Sequence, residues 1–519
     1  MLVKILGAAV QGIDAIVVTV EVAINNGVTF SIVGLPDAAV KESCERVRSA
    51  IRESGMKIPH RQTVVNLSPA DVRKEGAAYD LPIAIGILAG AGLLQPARSL
   101  ADYMIMGELS LDGTLLPIRG ALPMAIKARE IGIKGIILPK DNAVEAATVN
   151  NLSVYGAGSL LEVVEFLAGK RDIEPTSINT REEFAKASML FEEDFADVCG
   201  QENVKRAFEV ACAGGHNILL VGPPGAGKSM MAKRLPTIMP PLSLREALET
   251  TKIHSVAGTL RGGVSLMAAR PFRSPHHTIS PVALVGGGTH PRPGEISLAH
   301  NGILFLDEFP EFSRSVLEVL RQPLEDRVIT ISRARYSVDY PAGFMLVASM
   351  NPCPCGFYNH PTKRCTCPAG AVSKYLNRIS GPLLDRIDIQ VEILPVPFEK
   401  LHERGAGAER SADIRQRVIK AREIQERRYA SEPHVHCNAQ MNSRLLKQHV
   451  QLDPESSALL QRMMTKFDMS ARAYDRILKV ARTIADLDGS DAVQMRHIAE
   501  AASYRNLDRS SWGSVHLPK

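Results

Sequence analysis

A glycine-rich octapeptide near the middle of the chain, Gly222-Pro-Pro-Gly-Ala-Gly-Lys-Ser229, restricts the fold more than any other stretch. It fits the pattern G-x-x-x-x-G-K-[ST], in which backbone N–H groups turn toward phosphate oxygens at the start of a helix. The apolar residues 217–221 precede it as a strand, and residues 230–235 follow it as the beginning of a helix. This order predicts a buried parallel sheet with a nucleotide at its edge, and a Gly-Pro turn without a ligand is the alternative.

ATP and Mg²⁺ are the cofactors that this loop predicts, and two of its side chains have defined roles. Lys228 is expected to reach the β- and γ-phosphates, and Ser229 is expected to hold Mg²⁺. The residues expected to form the nucleotide site are Gly222, Pro223, Pro224, Gly225, Ala226, Gly227, Lys228, Ser229 and Met230.

Two further apolar runs end in polar side chains that suit phosphate hydrolysis. Ile303-Leu-Phe-Leu-Asp-Glu308 predicts a buried strand whose Asp307 holds Mg²⁺, directly or through water, while Glu308 polarises the attacking water. Residues 345–351 (MLVASMN) predict a second strand, whose terminal amide, Asn351, orients water near the γ-phosphate. In each case the alternative is a strand that ends in a solvated turn.

Four of the eight cysteines lie close together after this second strand, as Cys353-Pro-Cys355 and Cys365-Thr-Cys367. Paired thiols in a reducing compartment suit tetrahedral Zn²⁺, and the metal would order a loop too polar and proline-rich to fold alone. We therefore expect these four side chains to bind a structural Zn²⁺, with inert reduced thiols as the alternative. A catalytic metal is not expected, because four thiolates leave no open coordination position.

Composition excludes several other classes of protein. The 519 residues are 45% hydrophobic and 23% charged, which excludes a mainly disordered chain or a small scaffold that depends on disulfides. Aromatic residues make up only 5%, so a base-stacking surface built on aromatic rings is not expected. The longest apolar run, residues 81–94, is too short and too interrupted by Pro82 and glycines to cross a membrane. We therefore expect a cytoplasmic protein without a membrane partner.

Changes in composition and in hydrophobic periodicity along the chain predict an α/β protein of three domains. Residues 1–170 are apolar and rich in short strand-like runs, and residues 171–194 form a polar linker. Residues 195–397 contain the motifs described above and predict an ATPase core of the P-loop type. Residues 412–508 show helical periodicity and predict a C-terminal helical lid.

Together with Gly381-Pro-Leu-Leu-Asp-Arg-Ile-Asp388, the three motifs occur in the order typical of AAA+ ATPases, and the chain resembles their magnesium-chelatase-like branch. Within that branch it resembles the bacterial YifB/ComM group. The segments that carry this resemblance are 32–43 (IVGLPDAAVKES), 270–278 (RPFRSPHHT) and 286–302 (GGGTHPRPGEISLAHNG). The likeness extends over essentially the whole chain.

The resemblance implies a hexameric ring with ATP sites between subunits. Asn351 falls at the position of sensor 1, and residues 197–201 (DVCGQ) resemble the segment that packs on adenine. The family also carries a pore-facing insert before the strand that ends at Asp307, here roughly residues 255–300. A second hairpin is expected at residues 328–340, where alternating residues suggest paired strands. The basic side chains expected to touch a DNA backbone are Arg273, His276, Arg333 and Arg335, and a charged hairpin without a ligand is the alternative.

Two arginines receive catalytic roles from the same resemblance. Arg386 matches the arginine finger, which reaches the γ-phosphate of the neighbouring subunit, and Arg378 is a second candidate. Arg472 matches the sensor 2 arginine of the lid. As alternatives, Arg386 forms an ion pair with Asp385 or Asp388, and Arg472 is a solvated arginine on the surface of a helix.

The N-terminal region resembles a protease that has lost its catalytic residues. Residues 106–140 are similar to part of the proteolytic domain of Lon, which implies an α+β fold like that of ribosomal protein S5. Lon uses a serine activated by a lysine, but this chain has Leu122 at the lysine position and no serine in the matching segment, residues 75–81. Without an activatable nucleophile there is no acyl transfer, so a protease is not expected. The domain would instead assist ring assembly or offer DNA a second basic surface.

These expectations combine into one function and one rival. The resemblance implies an ATP-driven hexameric motor that acts on single-stranded and branched DNA and promotes branch migration during recombination in natural transformation, with recombination proteins as further candidate partners. The rival is an ATP-dependent protein remodeller like the motor subunit of magnesium chelatase, although that subunit lacks the Lon-like domain. The net charge of +5 does not decide between them, because the placement of the charges matters more than their sum.

Overall fold

The computed structural model describes residues 1–57, 61–180, 184, 191–260, 264–288, 291–333, 336–396, 409–467 and 469–505. Two sheets and a set of C-terminal helices account for most of the regular structure of these residues. Within them, no helix is long and apolar enough to cross a membrane.

The N-terminal part of the chain contains a seven-stranded mixed sheet and one separate antiparallel pair of strands. Its strands are β1 (Leu2–Gln11), β2 (Asp14–Asn25), β3 (Phe30–Val33), β4 (Gln62–Ser68), β5 (Tyr103–Ile105), β6 (Glu108–Leu109), β7 (Leu115–Leu116), β8 (Gly135–Pro139) and β9 (Ser153–Ala157). Its helices are α1 (Ala38–Glu53), α2 (Asp80–Gly90), α3 (Ala121–Glu130), α4 (Lys140–Ala146) and α5 (Leu160–Leu167). The separate pair is β6 with β7. The sheet has the order β3-β4-β2-β1-β5-β8-β9, and the apolar α2 is buried along its whole length because it packs against β1 and β2.

The middle of the chain contains a five-stranded parallel sheet and two separate pairs of antiparallel strands. Its strands are β10 (Ile218–Val221), β11 (Phe272–Arg273), β12 (Gly286–Gly287), β13 (Arg292–Pro293), β14 (Ile303–Leu306), β15 (Val328–Arg333), β16 (Tyr336–Pro341), β17 (Met345–Met350) and β18 (Ile389–Glu392). Its helices are α6 (Glu202–Gly214), α7 (Lys228–Ile238), α8 (Leu244–Ala257), α9 (Pro281–Val285), α10 (Glu295–Leu298), α11 (Arg314–Val319), α12 (Arg321–Asp326), α13 (Ala371–Leu376) and α14 (Gly381–Leu384). The separate pairs are β12 with β13 and β15 with β16. The order β11-β14-β17-β10-β18 is parallel throughout, and the central strands are apolar because both faces are covered. The predicted α/β fold with a parallel sheet is confirmed.

The C-terminal part is helical, as the periodicity predicts. It contains α15 (Ser411–Arg428), α16 (Ser443–His449), α17 (Pro454–Phe467), α18 (Ala471–Leu487) and α19 (Met495–Ser503). The Ser470 side chain caps α18 by accepting a hydrogen bond from the backbone N–H of Ala473, and Ile477 and Ile484 are buried on the face that packs against α6 and α15. These apolar side chains join one face of the parallel sheet in a common hydrophobic core.

The region predicted as an insert, residues 255–300, is in part a strand of the main sheet, so that prediction was too broad. Phe272 and Ile303 pair in parallel, which makes β11 the edge strand beside β14. The excursions from the sheet are therefore two shorter segments, one before β11 and one between β11 and β14. The hairpin predicted at residues 328–340 is confirmed, since β15 and β16 pair antiparallel.

A buried carboxyl joins the N-terminal part to the parallel-sheet part. The Glu145 carboxylate accepts hydrogen bonds from the Leu122 backbone N–H at 2.9 Å and from the Ser255 hydroxyl at the end of α8. Nearby, the Thr148 hydroxyl donates to the Ser265 carbonyl at 2.8 Å. Burial raises the pKa of Glu145, because water is excluded from this contact. Buried hydrogen bonds therefore join the two parts, and a partner lost from either part would leave a buried polar group unsatisfied.

The close approach of β11 to β14 leaves no room for a side chain at Gly302, which gives a test of the fold. A Cβ atom there would lie 2.1 Å from the Pro271 carbonyl oxygen, which accepts the Ile303 N–H that opens β14. We expect Gly302→Ala to lower the free energy of unfolding by about 1–3 kcal/mol in denaturant titrations, because the strands must separate. Gly381→Ala is the matched control, since a Cβ there meets nothing within 4 Å. Equal stability of the two variants would contradict this packing.

Candidate functional site

The carboxyl ends of three neighbouring strands meet at one edge of the parallel sheet. The glycine-rich loop follows β10, Asp307 and Glu308 follow β14, and Asn351 follows β17. A cavity of about 380 Å³ lies between them. Its lining consists of Pro224, Gly225, Ala226, Gly227, Lys228, Ser229, Met230, Asp307, Glu308, Ser349, Met350 and Asn351. Three motifs that are far apart in the sequence therefore form a single site.

The glycine-rich loop presents its lysine to this cavity. Gly225 and Gly227 have φ values of 78° and 86°, which favour glycine, and α7 begins directly afterwards at Lys228. The Lys228 ammonium donates to the Gly222 carbonyl at 2.6 Å, the Pro223 carbonyl at 3.0 Å and the Asn351 side-chain oxygen at 3.0 Å. Burial lowers the pKa of Lys228. Gly222 and Pro223 thus support the lysine from below, while the later loop residues line the cavity.

A hydroxyl and a carboxylate are paired at the base of the site, as a magnesium site requires. The Ser229 hydroxyl donates to Asp307 Oδ2 at 2.6 Å, and the Ser349 hydroxyl donates to Asp307 Oδ1. Hard oxygen donors beside a phosphate-binding loop fit Mg²⁺, which keeps several waters and takes few protein ligands. Ser349 was not predicted from the sequence, although it lies two residues before Asn351 in a strand that the sequence identified.

Glu308 is exposed at the mouth of the site and has a partner that sequence reasoning missed. Its φ of 53° places it in the left-handed region, which is uncommon outside glycine and occurs at functional sites. His277 Nδ1 lies 3.4 Å from Glu308 Oε2, and the His277 ring packs edge-on against Phe312. The available signal was the pair of histidines in the 270–278 segment, of which only His276 was singled out. His276 stacks on His277 with 4.0 Å between the ring centroids.

The arginine predicted to act as a finger does not line the cavity of its own chain. The Arg386 side chain is 10% exposed and pairs with Glu325, which is neither of the two partners considered from the sequence. The second candidate, Arg378, instead lines an adjoining cavity of about 480 Å³ with Glu308, and its Nη1 lies 2.8 Å from Glu311.

The predicted sensor 2 arginine is on the lid surface. The Arg472 side chain is 69% exposed and lies 3.3 Å from Asp385, on the loop that follows α14. The segment predicted to pack on adenine, residues 197–201, precedes α6 and contacts α7, where Asp197 Oδ2 lies 3.1 Å from Arg234 Nη2. Neither feature lines the cavity described above.

The four basic residues predicted to touch DNA have different surroundings. Arg273 forms a two-pronged ion pair with Glu295, with both N–O distances at 2.7 Å, so its charge is already balanced. His276 is exposed. It lies beside the edge of the parallel sheet at which the phosphate loop, Asp307, Glu308 and Asn351 meet, which we call the catalytic edge. Arg335 and the Arg333 side chain lie outside the described residues, so the structure gives no position for the tip of the β15–β16 hairpin.

The four clustered cysteines come together in space. Their sulfur atoms all lie within 4.8 Å of one another, and the Sγ of Cys353 is 3.3 Å from that of Cys355 and 3.7 Å from that of Cys365. Burial opposes ionisation of Cys355, but backbone N–H groups outweigh it and lower the pKa to about 5. Burial raises the pKa of Cys367 to about 12. A cation would let all four ionise, so the donor set fits a metal such as Zn²⁺.

The structure describes the residues that match the catalytic lysine and serine positions of Lon. Leu122 is fully buried, and its backbone N–H is directed at Glu145 rather than toward a solvent cleft. The segment at the serine position contains Ala78 and the buried Tyr79, whose hydroxyl donates to the Ala8 carbonyl at 3.1 Å. The absence of protease activity stays a prediction from the sequence.

Comparison with protein families identifies the class of protein to which the chain belongs. A family model described as magnesium chelatase, subunit ChlI, matches residues 194–401, and models for further parts of ChlI match residues 20–142 and 408–505. The chain is thus a magnesium-chelatase-like AAA+ protein.

Individual relatives narrow the class. The chain is 44% identical over 502 residues to competence protein ComM of Haemophilus influenzae, covering 96% of this chain and 97% of ComM. It is 45% identical over 515 residues to YifB of Escherichia coli, covering 98% of each, and 44% identical over 515 residues to YifB of Salmonella typhimurium. The chain belongs to the YifB/ComM family.

The position of Lys228 predicts a specific loss on its removal. We expect Lys228→Ala to weaken binding of a fluorescent ATP analogue by about tenfold or more, since the charge that meets the phosphates is lost. The control is Lys233→Ala on the exposed face of the same helix, which should bind as the wild type does. Equal affinities of the two variants would contradict the assignment of this loop to nucleotide.

Proposed function

We propose that the chain is an ATP-dependent DNA motor that works as a hexameric ring and promotes branch migration during homologous recombination, as in natural transformation. The observation that carries the proposal is the hydrogen-bonded assembly of Lys228, Ser229, Asp307 and Asn351 at the edge of the parallel sheet. High identity to a competence protein over nearly the full length supports the biological context.

In this proposal the cavity binds ATP and supports its hydrolysis. Lys228 contacts the β- and γ-phosphates, and Ser229 and Asp307 would hold Mg²⁺, which neutralises phosphate charge. Glu308 orients and polarises the attacking water, and Asn351, which already contacts Lys228, positions the γ-phosphate end. Because catalysis of phosphoryl transfer consists mainly of positioning and charge stabilisation, this set of side chains is the contribution that one subunit makes to its own site.

The ring supplies the remaining charge in trans. Arg386 lines neither cavity of its own chain, which agrees with a role at the γ-phosphate of a neighbour, and its exchange of Glu325 for phosphate would couple hydrolysis to subunit movement. Arg472 acts from the lid as sensor 2, where its exposure leaves it free to change partners. The corresponding domains are the Lon-like residues 1–170, the ATPase core 195–397 and the lid 412–508, with a linker at 171–194.

DNA is proposed to pass through the pore of the ring. His276 and the basic tip of the β15–β16 hairpin would contact the phosphate backbone, and single-stranded and branched DNA are the expected ligands. The protease-inactive N-terminal domain assists assembly or provides a second DNA surface. Recombination proteins are further candidate partners, and the cytoplasm is the compartment where DNA and ATP are both available.

We further propose that Cys353, Cys355, Cys365 and Cys367 bind one structural Zn²⁺. The sulfur cluster supports this proposal, because four cysteine sulfur atoms within 4.8 Å of one another match the donor set of closed zinc sites. Such a metal orders a loop and does not take part in hydrolysis.

The DNA-motor proposal predicts that DNA stimulates the ATPase. We expect single-stranded or branched DNA to raise the ATPase rate, and the protein to displace a strand from a three-way junction in the presence of ATP. Glu308→Gln is the control, since it should bind ATP and DNA but neither hydrolyse nor displace. Hydrolysis without DNA stimulation or displacement would favour the rival protein-remodelling function.

The trans role of Arg386 predicts a characteristic response of mixed rings. When Arg386→Ala is mixed with Glu308→Gln, each of which is inactive alone, ATPase activity should reappear, because a Glu308→Gln subunit still offers its arginine to the intact Glu308 site of an Arg386→Ala neighbour. Arg378→Ala is the comparison, since Arg378 lines the cavity of its own chain. A mixture of Arg386→Ala and Glu308→Gln that stays as inactive as the two separate variants would show that Arg386 acts only in cis.

A further inference from the structure

The cysteine-bearing segment lies between two parts of the catalytic edge. It leaves β17 at Asn351 and rejoins regular structure at α13, and the residues between them form bends and turns without a helix or strand. Such a segment has little backbone hydrogen bonding of its own to oppose chain entropy. Its conformation therefore depends on a cross-link or on contacts with its neighbours.

The sulfur positions suit one particular cross-link. Tetrahedral zinc with Zn–S bonds of about 2.3 Å places its sulfurs roughly 3.8 Å apart. The Cys353–Cys365 and Cys355–Cys365 separations are 3.7 and 3.5 Å, close to that spacing. The Tyr358 backbone N–H also donates to the Cys353 sulfur at 3.3 Å, an outer contact that orients a metal-bound thiolate.

The same segment presses on the phosphate loop. Gly356 has a φ of 83°, and a Cβ atom added there would lie 2.6 Å from Pro224 Cδ. Pro354 lines the cavity that also includes Glu308 and Asn351. The cysteine segment thus forms one wall of the cavity beside the catalytic edge. It packs so closely on Pro224 of the phosphate loop that only glycine fits at position 356.

We propose that metal in the four-cysteine site controls the ATP site through this wall, so that nucleotide affinity depends on bound zinc. The inference rests on the proposed function in that the cavity binds ATP. The zinc fixes Cys353 and Cys355, and Gly356, the next residue, is thereby held against Pro224. Loss of the metal releases the wall, and the phosphate loop loses the contact that holds it in its binding shape.

Two variants separate metal binding from its transmission to the site. Cys365→Ser with Cys367→Ser removes two ligands, whereas Gly356→Ala keeps all four thiols, alters the contact with Pro224 and adds backbone strain at a positive φ. Zinc per chain is measured by plasma mass spectrometry, and affinity by titration with a fluorescent ATP analogue. We expect about one zinc per wild-type chain, loss of zinc with about tenfold weaker nucleotide binding in the cysteine variant, and retained zinc with similarly weakened binding in Gly356→Ala.

Matched controls exclude general effects of the substitutions. Gly370→Ala lies at the end of the same segment with a φ of 78° and meets nothing within 4 Å, so it reproduces the backbone strain without the contact. Cys44→Ser removes a thiol outside the cluster. Both should keep wild-type zinc and nucleotide affinity.

Three results would overturn the inference: wild-type chain without zinc, a folded cysteine variant with unchanged affinity, or Gly356→Ala with unchanged affinity. If the cysteine variant fails to fold, Gly356→Ala decides alone. A wild-type chain that binds zinc and the ATP analogue but does not hydrolyse ATP contradicts the proposed function and leaves this inference standing.

Discussion

The register of β14, β17 and β10 is the constraint on which the site depends. These strands run side by side, with Leu306 opposite Ala348 and Val221 opposite Met350. The strands β17 and β10 therefore end at the same level, and β14 ends two residues earlier, level with Ala348. The polar residues near these ends lie close together across spacings of about 4.8 Å per strand. A slip of one residue would shift a strand end by about 3.3 Å and break the hydrogen bond between Ser229 and Asp307. Catalytic geometry here is a consequence of sheet pairing.

The catalytic edge could be predicted from the sequence because each of its parts is local. A strand that ends in Asp307 or Asn351 is recognisable by itself, and parallel pairing brings such ends together. The contact of His277 with Glu308 could not be predicted, since it depends on how the chain returns after β11. Likewise, β11 has only two residues, too few for any periodic signal, and the sequence instead suggested an insert.

Long-range ion pairs also escaped prediction. Arg386 meets Glu325, 61 residues away, although two carboxylates stand within two residues of it. Those neighbours are engaged with the lid: Asp385 with Arg472 and Asp388 with Arg476. Although burial favours the neutral acid, Arg476 and His216 hold the pKa of Asp388 well below its usual range. A largely buried charge pair therefore adds to the hydrophobic core that the C-terminal helices share with the parallel sheet, and the exposed Arg472 lies a helical turn away.

The carboxyl of Glu145 has a consequence for how the protein can be divided. Its hydroxyl partner, Ser255, belongs to α8, so a movement of that helix would also move the first sheet. Removing residues 1–170 would expose this helix to solvent. It would also remove the Glu145 carboxylate and the Thr148 hydroxyl, which hydrogen-bond to Ser255 and to the Ser265 carbonyl. The core expressed without residues 1–170 should therefore unfold more readily and persist for less time in the cell, because the first sheet also shields polar groups of its neighbour.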